Sequence, residues 1–187
     1  MTNSHQPDQS DRVEHRMERT YEVPATPQQV WDAIATADGI SAWMLPTQLD
    51  PRIGGEVSFD LGGSPLVGVV TDYTPHVRFA YEEPWPIADT VEDISAEMVT
   101  WFNSVGVSLS DVDLSAVSPI ATEYLIESTS GGSSVIRVVT SAYGDGADWE
   151  NEFFAQMIAD LIPILDNLAT HLNGAVLRPT IEQGEFR

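Results

Sequence analysis

The chain has no cysteine among its 187 residues, and reading along it finds no lysine either. The first absence excludes disulfides, thiolate nucleophiles and zinc–sulfur sites, and it suits a reducing interior, so a cytoplasmic protein is expected. The second leaves arginine as the sole permanent cation: 8 basic residues stand against 29 acidic ones, for a formal net charge of −21. Such a surface repels phosphate backbones and anionic lipid, and neither nucleic acid nor a membrane is an expected partner. No apolar run approaches the ~18 to 20 residues of a membrane span, and "MTNSHQPDQSDRVEHRMERT" holds no apolar core of a signal peptide. Between Arg78 and Arg137 no basic residue occurs, while acidic ones recur from Glu82 to Glu127; this reads as a solvated face.

Catalytic signatures are missing too. There is no G-x-S-x-G elbow, no H-E-x-x-H, no phosphate loop and no G-x-G-x-x-G, so no catalytic residue is nominated and an enzyme is not the expected reading. His5 and His15 fall in a polar leader, His76 in a "TPH" turn and His171 near the end of the last helix. None has metal-ligand spacing; no metal and no cofactor are expected. The acidic pairs Glu82–Glu83 and Glu150–Glu152 could serve acid–base work only by facing one buried site, and residues adjacent on a strand or two apart on a helix point apart, so both pairs read as solvated. Arg78 and Arg137 lie within strand patterns, where an inward arginine could hold a carboxylate; the outward direction is expected for Arg78.

What is present is a clear order of patterns. Residues 1–17 read as a disordered leader, with order beginning near Glu18 in a strand, "ERTYEV". Thr26, Pro27 and Gln29 then have the spacing of an N-cap, a first helical position and a capping box, followed by Val30, Trp31 and Ile34 on one face. Asp38 is placed to cap a second short helix carrying Ile40, Trp43 and Met44, which Pro46 stops. From "VSFDL" the period changes to two: "PLVGVVTDY" and "VRFAY" follow, separated by turn compositions, and the alternation puts Val57, Phe59 and Leu61, and Val77, Phe79 and Tyr81, on one apolar sheet face. Residues 84–118 interrupt this meander as an insertion, helical over 89–103. Strands resume with "IATEYLIES" and "VIRVVTSAY". The last helix, from Ala147 to Asn173, carries Phe154, Ile158, Leu161, Leu165, Leu168 and Leu172 as a stripe widened by Phe153, Met157 and Ile164. Asp145 or Asp148 is expected to cap it, Gly174 to end it, and Pro163 to bend it. Residues 174–187 read as a loose tail.

At the residues, "TYEVPATPQQVWDAIATADGISAWM", "RIGGEVSFDL", "VGVVTDYTPHVRFAYE" and "WENEFFAQMIADLIPILDNL" resemble the bacterial proteins grouped with the activator of heat-shock protein 90 ATPase homologues, within the superfamily of START-related and birch-pollen-allergen-like domains. The resemblance spans residues 18 to 172 apart from the insertion. It implies an α+β helix-grip fold: a curved antiparallel sheet around the long C-terminal helix, with two short helices closing one end of an apolar cavity. The domain is then 18–173. Trp31 is expected to anchor the first short helix to the sheet, with Trp43 nearer the cavity mouth.

A non-catalytic protein binding a small apolar or aromatic molecule is the expected function, with Trp43, Phe59, Phe79, Tyr81, Phe153 and Met157 lining the site. A protein-interaction or chaperone-accessory module, contacting a protein partner through the acidic surface and insertion, is the second reading. A cyclase- or hydrolase-type enzyme using the same cavity is the third. The apolar residues of the insertion, Trp85, Met98, Trp101 and Phe102, need cover, which a lid position or a homodimer contact would supply.

Overall fold

The computed structural model describes residues 12–62, 65–85, 87–88 and 91–174. Seven antiparallel strands form one curved sheet in the order β1-β7-β6-β5-β4-β3-β2: β1 (Val13–Val23), β2 (Thr47–Leu49), β3 (Glu56–Asp60), β4 (Pro65–Thr74), β5 (Arg78–Glu83), β6 (Ile120–Ser128) and β7 (Ser134–Gly144). Helices α1 (Pro27–Ile34) and α2 (Ala37–Ser41) follow β1, α3 (Ala96–Ser104) lies between β5 and β6, and α4 (Asp148–Leu172) is the last element among the described residues.

The local rules act as the sequence implies at α1. Thr26 Oγ1 accepts from the Gln29 backbone N–H, and the Gln29 side chain accepts from the Thr26 N–H at 2.9 Å, satisfying two orphan donors reciprocally. At α2 the cap is Thr36, not Asp38: Thr36 Oγ1 accepts from Gly39 N at 3.0 Å, and Asp38 sits in the first turn, where its charge suits the helix dipole. At α4 neither Asp145 nor Asp148 caps. The N-cap is Ala147, which has no side-chain acceptor, and Glu150 reaches back instead, taking the Gly146 N–H at 2.9 Å and the Asp145 N–H at 3.2 Å.

Two boundaries differ from the sequence reading. β1 begins at Val13, five residues before Glu18, because its polar side chains face out while His15 and Met17 face in; full pairing with β7 runs from Val13↔Gly144 to Val23↔Ser134. The described part of the expected leader is therefore strand, and residues 1–11 lie outside the described residues, as does the expected tail beyond Gly174. The insertion is shorter in helix than 89–103, because Ser95 caps α3 and single 3₁₀ turns at Val91–Asp93 and Leu109–Asp111 flank it.

The inner sheet face and α4 enclose two apolar clusters. The first holds Val30, Trp31, Ile34, Trp43, Val57, Phe59, Phe79, Tyr81, Tyr124, Ile136, Leu165 and Leu168; the second holds Trp85, Phe102, Ile120, Ala142, Trp149, Phe153 and Phe154. The insertion supplies Trp85 and Phe102 to the second cluster, so much of its apolar surface is covered within the chain. Trp85 Nε1 donates to Ser118 O at 2.8 Å, and Ser118 N to Tyr143 O at 2.7 Å, which pins the base of the insertion onto β7. Val77 and Leu61, expected on the apolar face, are exposed because each lies just outside its strand.

Candidate functional site

Strand register sorts the inner face into cross-strand rows. One row runs Phe79, Tyr124, Val138; the next runs Tyr81, Thr122, Thr140, Met17; the third runs Glu83, Ile120, Ala142, His15. The first row belongs to the first cluster, and Ile120 and Ala142 to the second. Between them lies a polar belt of Tyr81, Thr122 and Thr140, with Glu83 at its β5 end. Thr122 and Thr140 are buried with hydroxyls 3.4 Å apart.

Glu83 is the outlying member of this belt. By alternation it shares the inner face with Phe79 and Tyr81, and its Oε2 is buried with no hydrogen-bond partner among the described residues. Burial pushes its carboxyl up to about 7, because the charged form loses its hydration and gains no partner. Tyr81 and Tyr124 beside it are pushed up by desolvation first and by Glu83 as a further contribution. At the far end Tyr21 OH donates to Asp166 of α4 at 3.0 Å, and burial and then this bond raise its pKa to about 12.

Helix α4 changes character along its length. Trp149, Glu150, Phe153 and Phe154 are buried at one end and Leu165 and Leu168 at the other; no residue from 155 to 164 is. Met157, Ile158 and Leu161 nevertheless face the clusters, half-buried, and Ile158 touches both. The helix is thus packed tightly at its ends and less so in its middle, where Ile158 touches both clusters.

The six expected lining residues divide. Phe59, Phe79 and Tyr81 come together, with ring centroids 5.4 Å apart for Phe59–Tyr81 and 5.7 Å for Phe79–Tyr81. Trp43 joins their cluster, yet it is only 3% exposed and its indole N–H donates to Ala33 O at 2.9 Å, tying the segment after α2 to α1. Trp31 stacks edge-on against Tyr73 of β4 at 4.9 Å, anchoring α1 to the sheet. Phe153 belongs to the second cluster, under Trp85 and Trp101 of the insertion, and Met157 flanks that cluster.

Two carboxylates read as solvated are not. Glu83 faces inward, and Glu150 is fully buried, its Oε2 3.0 Å from His15 Nε2. His15, assigned to the leader, packs between Trp85 and Phe154. The signal for Glu83 was available, since the period that sends Phe79 and Tyr81 inward sends position 83 inward as well. Nothing local signals the His15–Glu150 pair, whose members are 135 positions apart.

The outer face is different. A groove of about 380 Å³ crosses it, with Arg16, Arg78 and Arg137 along it. Arg78 points outward as expected and pairs with Glu123 and Asp72; Arg137 also lies outside, 3.7 Å from Glu18. These arginines are already paired with neighbouring carboxylates, at the half-exposed positions where such pairs contribute little. Among the described residues no group of side chains has the make-up of a metal site, and no helix is long and apolar enough to cross a membrane.

A curved sheet closed around a long C-terminal helix, with two short helices at one end, defines a helix-grip protein. The family model described as "Activator of Hsp90 ATPase homolog 1-like protein" matches residues 24–135, more than half of the chain, and the chain belongs to that family. Solved structures agree on the fold. Protein MLL2253 from Mesorhizobium loti superposes with a TM-score of 0.60 at 12% identity, covering 87% of this chain and 100% of that one. The Aha1 dimer from Colwellia psychrerythraea gives 0.57 at 14% identity, over 85% and 96%. Ara h 8.0201 gives 0.55 at 11% identity, over 87% and 99%. No curated protein matches the chain.

Proposed function

We propose that this protein binds a small, mainly apolar molecule between the inner sheet face and the middle of α4, without catalysing a reaction. The observation that carries this reading is the break in burial along α4. Apolar residues that face the interior are half-buried at Met157, Ile158 and Leu161, while both ends of the helix are closed. Close packing is the rule in protein interiors, and a loosely covered apolar stretch is the composition of a ligand site. Phe59, Phe79, Tyr81 and Met157 would supply apolar contact, with Trp43 as wall rather than mouth and Phe153 as the floor beneath the insertion.

The test is native mass spectrometry of the purified protein beside the same sample denatured. A mass excess that vanishes on denaturation supports the reading and weighs the ligand; a protein that neither carries a molecule nor takes up an apolar fluorescent probe overturns it. A homodimer is a second proposal, motivated by the dimeric Colwellia psychrerythraea structure, which is similar in fold. Sedimentation at two concentrations decides it. Contact with a protein partner through the insertion receives less support, because Trp85 and Phe102 are turned inward onto α4.

A further inference from the structure

Glu83 poses a chemical question that the apolar reading of the site leaves open. An inward carboxyl oxygen without a hydrogen-bond partner among the described residues is a destabilising element that a ligand or ion can complete. Its surroundings narrow what can do so. Tyr81 lies two residues back on β5, and Tyr124 of β6 stands diagonal to Tyr81, both buried and both close enough for the carboxylate to act on their phenols. Trp85 lies two residues forward, with its N–H already given to Ser118 O. The group is therefore an acceptor on the inner face it shares with Tyr81, within electrostatic reach of the Tyr81 and Tyr124 phenols.

We infer that Glu83 is the polar anchor of the interior site and that the ligand is a small hydrophobic amine, bound as its ammonium cation. This rests on the binding reading above. An ammonium donates to the unpartnered oxygen and supplies the charge that a buried carboxylate lacks, and aromatic faces favour a cation. A fatty acid or other carboxylate is disfavoured on the same ground, since two carboxyl groups in one apolar site cannot both stay ionised. The acidic surface adds to the selection by concentrating cations around the protein.

The experiment uses three probes of one shape, 1-naphthylmethylamine, 1-naphthalenemethanol and 1-naphthaleneacetate, titrated calorimetrically into the full chain at pH 8. The expected result is one-to-one binding with the amine at least about tenfold tighter than the alcohol, and the acetate weakest. Glu83→Gln brings amine and alcohol to within about threefold, and Glu82→Gln, which removes the same charge from the outer face one residue away, leaves the preference intact. An amine no tighter than the alcohol in the natural protein, or a preference that survives Glu83→Gln, overturns the anchor while leaving the binding site standing. Binding of none of the three overturns both. The comparison among probes needs no variant, so a Glu83→Gln protein that fails to fold does not remove the test.

Discussion

Glu150 is fully buried and Glu83, half-buried, turns one oxygen inward, and the two carboxylates are treated in opposite ways. Glu150 is completed by the chain: His15 Nε2 meets one oxygen, and the backbone N–H groups of Asp145 and Gly146 complete the pair. These contacts join β1, the β7–α4 turn and the start of α4 into one knot. Glu83 has a buried oxygen with no partner among the described residues and a raised pKa. A carboxylate with internal donors serves architecture, because its removal orphans several groups together. One left open carries a penalty that protonation relieves at low pH and that a donor from outside the fold would relieve at high pH. The same residue type thus marks a structural joint in one place and the candidate site in the other.

The comparison can be broken by substitution. Glu150→Ala is expected to have the largest effect, roughly 3 kcal/mol, because it leaves His15 and two backbone donors unpaired in the interior. Thermal denaturation should show a fall in Tm of about 6 to 12 °C for a chain of this size. A loss below about 1 kcal/mol would dissolve the distinction between the two carboxylates.

Glu83→Gln should behave in the other direction, and only at higher pH. The folded-state carboxyl titrates at about 7 against an ordinary 4.5, so the native state holds a proton that the unfolded state has released between these values. The contribution to stability therefore declines as pH rises from about 4.5 through about 7 and is level above that. Melting curves of both proteins at pH 5 and pH 8.5 should nearly coincide at pH 5 and favour the glutamine variant by roughly 2 kcal/mol at pH 8.5. Bound amine should shrink that gap.

Gly144→Ala sharpens the Glu150 side. A Cβ there would sit 2.0 Å from Glu150 Oε2, so the knot tolerates no side chain at this position, and a loss of about 1 to 3 kcal/mol is expected by denaturant titration. The smallest effect belongs to Tyr21→Phe. It removes the hydroxyl that bonds Asp166 between β1 and α4, and a change of about 0.5 to 1 kcal/mol is expected, with amine affinity unaltered.

How much of this the sequence carries depends on the range over which each feature is encoded. The Thr26–Gln29 box lies within four residues, and its chemistry could be read directly. The antiparallel meander followed from alternation and turn composition, and the wide stripe of α4 identified the element the sheet must hold, whereas the short β2 and the place of β1 beside β7 were not legible. The insertion was visible as a break in the period, but what covered Trp85 and Phe102 was a question of tertiary packing that no local pattern answers. At Glu83 alternation and charge pulled apart, and solvation was the reading given to charge; the inward orientation shows that the period was the stronger guide. His15 illustrates the opposite limit. Its polar neighbours Glu14 and Arg16 face solvent from a strand whose partner is encoded more than a hundred residues later, so β1 looked like a leader.

That separation between β1 and its partners also governs how the chain can reach its fold. β1 cannot be paired until β7 and the start of α4 exist, because Val13 meets Gly144 and His15 meets Glu150. Closing a loop of this length adds little equilibrium penalty, since the entropy grows only logarithmically, but it places the slow search late. The nascent β1 therefore waits unpaired, and its charged outer residues, Glu14, Arg16, Glu18 and Glu22, keep it from adding to another sheet in the interval.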